Sequence, residues 1–238
     1  MLVFGRFLAR GGRSLGALVF LLAAIPGAGA QSFQSAAPHA VLLDSGSGAI
    51  LYEKAADELM VPASLAKIAT ALVAFQEIEQ GRMTLDTEIS ISENAWRKGG
   101  GVSGGSTMFA LVNSRVKLGD ILQGLIVQSG NDAAIALAEA VAGTEANFAR
   151  LMTERVRALG LSKSVFRNAT GMADPEQKVT ARELARLSDH LIKTYPDLYK
   201  IFGQREFTWN KIKQQNRNPL LAMDIGADGL KTGNVDDS

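Results

Sequence analysis

The chain has 238 residues, a formal net charge of +1, no cysteine and only two histidines. Scattered, nearly balanced charge argues against a nucleic-acid surface, which needs a basic cluster, and the lack of cysteine excludes disulfide stapling and thiol catalysis. His39 and His190 cannot supply a three-histidine zinc site and lie outside His-Glu-x-x-His spacing, so neither a metal nor a cofactor is expected.

Residues 1–30 read as a secretory signal. Arg6, Arg10 and Arg13 precede an apolar run from Leu15 to Ile25, and Pro26 with Ala28-Gly29-Ala30 marks a cleavage site before Gln31. That run is short of the roughly 20 residues that cross a bilayer. Cleavage takes the net charge from +1 to −2 and leaves residues 31–238 as one exported domain. Ala40–Asp44 and Ala49–Glu53 are short apolar strands around Ser45-Gly46-Ser47-Gly48, a hairpin signal. Pro62 opens a helix whose apolar positions run to Gly81 with helical spacing, which predicts a buried helix. Residues 97–107 hold five glycines without a Gly-Lys-Ser/Thr ending, so they read as a mobile surface loop rather than a phosphate cradle.

From Asp120 to Leu159 three helical segments are expected, broken at Gln128–Gly130 and at Gly143-Thr144. A turn-rich stretch over 168–177 follows, then an amphipathic helix from Thr180 to Tyr195, stopped before Pro196. Glu206–Asn210 alternates as a strand, Asn216–Pro219 is a turn, and Lys231 sits on a last strand-like piece. Strands at both ends with helices between predict an α/β fold of the α+β type: an antiparallel sheet with a helical lobe between its N- and C-terminal strands. A Lys231 strand this close to Ser238 would lie at an open edge, so the C-terminal strands are expected to be incomplete.

Three strings carry the chemistry: Ser64-Leu65-Ala66-Lys67, Ser129-Gly130-Asn131 and Lys231-Thr232-Gly233. Each is weak alone. Ser-x-x-Lys recurs by accident at Ser114-Arg115-Val116-Lys117, in a stretch with poor helical pattern. Ser64 could equally satisfy a free N–H at a helix start, and Ser129 or Asn131 could simply cap the helix beginning at Asp132. Context separates the copies, because only Ser64 opens a long buried helix, where a spacing of three puts its hydroxyl and Lys67 on one face. A serine needs a partner to take its proton. A lysine can be that partner when burial and a second cation, here Lys231, disfavour its ammonium.

The three motifs, in this order, are a combination shared by penicillin-binding proteins and class A β-lactamases. With Val41–Asp44, Pro62-Ala63-Ser64, Leu125–Ala133, Glu206-Phe207-Thr208, Asn216-Arg217-Asn218 and Asp228–Gly233, the chain resembles the serine D-Ala-D-Ala carboxypeptidases over residues 38 to 234. These are the low-molecular-mass penicillin-binding proteins of peptidase family S11. The resemblance implies the penicillin-binding, β-lactamase-like transpeptidase fold. It implies removal of the terminal D-Ala from peptidoglycan stem pentapeptides in the bacterial periplasm or envelope, with β-lactam antibiotics as covalent inhibitors. Ser64 would form the acyl-enzyme, Lys67 would accept its proton, Ser129 would relay a proton to the leaving D-alanine, and Asn131 would orient Lys67 and the substrate. Lys231 and Thr232, with Gly233, would hold the terminal carboxylate, and the backbone N–H groups of Ser64 and Asn234 would form the oxyanion hole. The family usually continues with His or Tyr and then Thr, where this chain has Asn234-Val235. Membrane-surface association through a missing C-terminal segment would also fit the family.

Rival readings rest on less. A Ser-His-Asp hydrolase would need His39 or His190, and no Gly-x-Ser-x-Gly elbow is present. A β-lactamase-like hydrolase needs a carboxylate to activate water; Asp174-Pro175-Glu176 is the nearest acidic turn, and turn chemistry already accounts for it. A non-catalytic peptidoglycan-binding homologue would have no use for a buried lysine.

Overall fold

A computed structural model describes residues 33–234; the signal sequence expected over 1–30 lies outside them. Strand β1 (Ala40–Leu43) pairs antiparallel with β2 (Ile50–Lys54), with Ala40 opposite Lys54, as the hairpin signal predicts. A single 3-10 turn, Ala63–Leu65, leads into α1 (Ala66–Glu79). Eleven of the fourteen α1 residues are buried, including Ile68, Leu72, Val73 and Phe75. A helix buried on nearly all sides belongs in a core. Phe75 meets Tyr195 and Phe202 edge-on, with ring centroids 5.6 and 6.4 Å away.

Beyond α1 come β3 (Glu88–Ser90), α2 (Glu93–Gly99) and β4 (Arg115–Lys117). Strands β3 and β4 pair antiparallel, so the accidental Ser114…Lys117 copy lies on a strand instead of a helix face. The helical lobe follows as α3 (Leu118–Ile126), α4 (Asn131–Ala142) and α5 (Glu145–Ala158), broken where the sequence places the breaks. Helix α6 (Ala181–Thr194) and the short α7 (Pro196–Tyr199) lead to β5 (Glu206–Trp209) and β6 (Ile212–Gln215). Helices α3, α4, α5 and α6 pack against α1. The β5–β6 hairpin turns through Asn210 and Lys211, both with left-handed backbone (φ +47° and +64°), the geometry of a tight hairpin.

The described residues from Ser35 onward belong to one compact unit. Two expectations are corrected. The N-terminal hairpin pairs with no C-terminal strand: the described strands form three separate two-stranded sheets. The strand-like piece expected around Lys231 has no regular structure, because a strand exists through the ladder it makes with a neighbour and none lies beside it among the described residues. No described helix is long and apolar enough to cross a membrane.

Candidate active site

Ser64 sits in the 3-10 turn at the head of α1, and Ala63 before it holds a left-handed backbone with φ +47°. No side chain caps this turn, so the hydroxyl is not spent on a helix start. One turn further, Lys67 is 1% exposed, the largest charged side chain in the core. Its Nζ donates to Asn131 Oδ1 at 2.8 Å and to the Thr170 carbonyl at 2.5 Å, and lies 3.3 Å from Ser64 Oγ. Burial holds the ammonium well below the usual lysine range; the cations Lys231 and Arg217 push the same way, opposed by Asp132 and Glu145. A neutral amine has two N–H bonds and one lone pair. The two short donations use both hydrogens, which leaves the lone pair facing the Ser64 hydroxyl.

The Ser129-Gly130-Asn131 break joins α3 to α4. Gly130 is the N-cap residue and receives no side-chain bond, so neither Ser129 nor Asn131 acts as the cap. Ser129 is turned by a left-handed backbone (φ +63°), and its buried Oγ has no hydrogen-bond partner among the described residues. A buried hydroxyl without a partner is costly unless something else uses it. Gly130 is required by space: a Cβ would fall 2.9 Å from Asp132 Oδ1 and 3.1 Å from both Met108 N and Gly124 O.

The lysine's third partner comes from the turn over 168–171. Asn168 Oδ1 accepts from Thr170 N, Thr170 Oγ1 and Gly171 N, at 3.2, 3.0 and 2.7 Å, which folds the turn and aims the Thr170 carbonyl inward. Gly171 (φ +83°) lets this turn lie against the Ala63-Ser64 backbone, where a Cβ would be 1.8 Å from the Ala63 carbonyl oxygen.

A cleft of about 660 Å³ opens over Ser64 and is lined by Gly104, Gly105, Ser106, Ser129, Arg217, Thr232, Gly233 and Asn234. Gly233 lies against the turn that bears Ser64, its Cβ direction 3.3 Å from Ala63 Cβ and 3.4 Å from the Pro62 carbonyl oxygen. Lys231 points behind the cleft wall, where its Nζ donates to the Thr232 carbonyl at 2.9 Å; burial, then Arg217, pushes its ammonium down to about 8. Thus Ser64, Ser129, Thr232, Gly233 and Asn234 face the cleft, with Lys67, Asn131 and Lys231 supporting them from behind.

Sequence reasoning missed two parts of the wall. Residues 97–107, expected as a mobile surface loop, are exposed over 101–105 but contain the end of α2 at Gly99 and a 3-10 turn over Gly101–Ser103, and the Cβ direction of Gly105 lies 3.0 Å from Asn131 Nδ2. The sequence singles out Arg217 only within Asn216-Arg217-Asn218, one of the segments that resemble the family. Asn216 Nδ2 donates to the Gln204 carbonyl at 2.9 Å and Asn218 Nδ2 to the Gly229 carbonyl at 2.6 Å, so the two asparagines hold Arg217 over the cleft and tie the Lys231 segment to it. An arginine set between two asparagines was the available signal. The rival carboxylates are elsewhere: Asp174 bonds the N–H of Glu176, and Glu176 pairs with Arg167 at 3.2 Å on the surface. His39 binds the Ala55 carbonyl and His190 lies on α6 beside Thr194.

The sequence model described as D-alanyl-D-alanine carboxypeptidase matches residues 27–238. Among curated relatives, the D-alanyl-D-alanine carboxypeptidase DacC of Escherichia coli is 39% identical over 231 residues, covering 95% of this chain and 58% of the relative. DacA of Haemophilus influenzae is 41% identical over 196 residues, covering 82% of this chain and 49% of the relative. The chain therefore spans only about half the length of these relatives. The structure of penicillin binding protein 5 from Haemophilus influenzae superposes with a TM-score of 0.82 at 39% identity, over 87% of this chain and 60% of that one. A Streptomyces K15 DD-transpeptidase, 26% identical, superposes with a TM-score of 0.76 over 84% of this chain and 82% of its own. Sequence match, relatives and fold agree, and the chain belongs to the D-alanyl-D-alanine carboxypeptidase family, S11.

Proposed function

We propose that the protein is an exported serine carboxypeptidase that removes the terminal D-alanine from peptidoglycan stem pentapeptides in the bacterial periplasm or envelope. The observation that carries this reading is the coordination of Lys67. A desolvated amine gives both hydrogens to Asn131 and Thr170 and presents its lone pair to Ser64 Oγ at 3.3 Å, which is what a general base for that hydroxyl requires.

The substrate's terminal carboxylate enters the positive end of the cleft, held by Thr232 and by the charge of Lys231, with Arg217 at the rim as a further anchor. Lys67 takes the Ser64 proton as Oγ attacks the carbonyl carbon of the penultimate D-alanine. The oxyanion is met by the N–H groups of Ser64 and Asn234; one such donor is commonly worth about 3–4 kcal/mol. As the C–N bond breaks, the unpartnered Ser129 hydroxyl passes its proton to the departing amine and takes in its place the proton held on Lys67, which returns Lys67 to the neutral amine. Water then hydrolyses the ester, with Lys67 as base again. A β-lactam undergoes the first half of this sequence, but its leaving group stays tethered in the cleft, so the ester persists.

Covalent labelling by a fluorescent penicillin tests the reading. The wild-type chain should be labelled and Ser64→Ala should not; labelling that survives the substitution overturns the nucleophile assignment. Release of D-alanine from a pentapeptide ending in D-Ala-D-Ala tests the substrate. Labelling without release would favour the binding homologue, and rapid loss of label with a hydrolysed drug would favour the β-lactamase-like reading.

A further inference from the structure

Asp132 is a carboxylate with 0% exposure, and the reaction as described does not use it. It follows Asn131 in the first turn of α4. Oδ2 accepts from Thr107 Oγ1 at 2.7 Å and from Ala110 N at 3.1 Å; Oδ1 accepts from Met108 N at 2.9 Å and Ala133 N at 3.0 Å. All four donors are neutral, and no cation lies within ion-pair distance of it among the described residues. A buried carboxylate with only dipolar partners acts on neighbouring charges through a medium that screens poorly. Three of the donors belong to one strap, residues 106–110, whose Ser106 carbonyl also accepts from Asn131 N at 2.8 Å. The strap's other side is held by the β5–β6 hairpin, where Gln214 Nε2 donates to the Met108 carbonyl and Asn210 Nδ2 to the Phe109 carbonyl, both at 3.2 Å. Its beginning, Ser106, is cleft wall.

We propose that Asp132 is a positioning residue of the reaction: its carboxylate clamps the strap 106–110, and with it one wall of the cleft, to the turn bearing Ser129 and Asn131, and its charge is the counterweight to Lys67. The charged groups acting on Lys67 are Lys231 and Arg217 on one side and Asp132 and Glu145 on the other. The strap brings no charged side chain to Asp132, and the basic residues of α2, Arg97 and Lys98, are exposed, Arg97 being paired with Glu93. With two cations bearing on a buried lysine, loss of Asp132, the stronger of the two opposing anions, leaves the amine too weak a base. The role rests on the acyl-enzyme reading above.

The test pairs Asp132→Asn with Thr107→Val on the full chain. The titration of Lys67, followed by NMR on protein labelled at the lysine ε-carbon, reports the charge directly. In Asp132→Asn its midpoint should fall by about one pH unit, since a removed counter-charge favours the neutral amine, and the acid limb of penicillin acylation should move down with it. An unmoved midpoint overturns the counterweight role. Thr107→Val keeps the charge and removes one clamp bond, so the midpoint should hold while the plateau acylation rate drops about tenfold. A rate within twofold of wild type overturns the clamp, and this variant decides alone should Asp132→Asn fail to fold. Wild-type protein that takes no penicillin onto Ser64 would refute the acyl-enzyme reading separately, with the midpoint still deciding the charge.

Discussion

Replacing Gly171 by alanine should damage the site far more than it damages the fold. Gly171 adopts φ +83°, a conformation that costs an L-residue roughly 1–2 kcal/mol. The new Cβ would also lie 1.8 Å from the Ala63 carbonyl oxygen, and side-chain carbons do not sit closer than 3.0 Å to such a neighbour. The backbone immediately before Ser64 must therefore retreat by about 1.2 Å, the difference between those two distances. Overpacking of this kind adds roughly 1–3 kcal/mol, and a displacement near 1 Å costs about 10²-fold in rate. Gly160→Ala is the control: its φ is +80°, with nothing within 4 Å of the added carbon. We expect Gly160→Ala to lower Tm by a few degrees and acylate at the wild-type rate. Gly171→Ala should melt roughly 5–15 °C lower and acylate about 100-fold more slowly. Stopped-flow acylation with a fluorescent penicillin, beside thermal melts, measures both. Equal acylation rates in the two variants would refute the argument that the 168–171 turn sets the nucleophile's position.

Arg217→Gln removes a cation from the rim and from the field on both lysines. Second-order acylation should fall about tenfold, and its acid limb should shift to higher pH, measurable as a rate profile. Phe75→Ala empties the centre of the Phe75–Tyr195–Phe202 cluster and should destabilise the fold by about 3–5 kcal/mol in denaturant titration. Lys231 binds its proton less tightly when folded (about 8) than when unfolded (10.5). Between those values the unfolded state holds more protons, so wild-type stability measured against Lys231→Met should rise with pH from 8 to 10.5 and stay flat below 8. A difference that declines over that window would contradict the burial of Lys231.

Elements that announce themselves locally were legible in the sequence. The Ser45–Gly48 turn between two apolar runs gave the first hairpin, the unbroken apolar spacing after Pro62 gave α1, and Gln128–Gly130 and Gly143-Thr144 gave the helix breaks. Strand β6 was missed because Ile212-Lys-Gln-Gln has no apolar alternation; it exists through pairing with β5. The glycines at 99–105 were misread because glycine looks the same whether it supplies freedom or clearance. At Gly99 it is clearance: a Cβ there would meet Asp132 N at 2.3 Å. That Ser64 and Lys67 lie side by side was legible through spacing that a helix makes meaningful. The turn at Asn168 was legible too, but the Thr170 carbonyl it aims at Lys67 was not, because a carbonyl oxygen belongs to every residue type and only the fold decides which one reaches Lys67.

Gly99, Gly130 and Gly171 each let one backbone approach another so closely that no side chain fits between them. The evolutionary leeway of this site is therefore lopsided. Its frame is written in residues that have no smaller substitute and no tolerable larger one, so change there forfeits shape and chemistry together. Its rim is written in exposed side chains, Arg217 and Asn234, that touch the cleft without holding it up. On the acyl-enzyme reading proposed above, adaptation to a new peptide, or escape from a drug that mimics one, has its open routes along that rim.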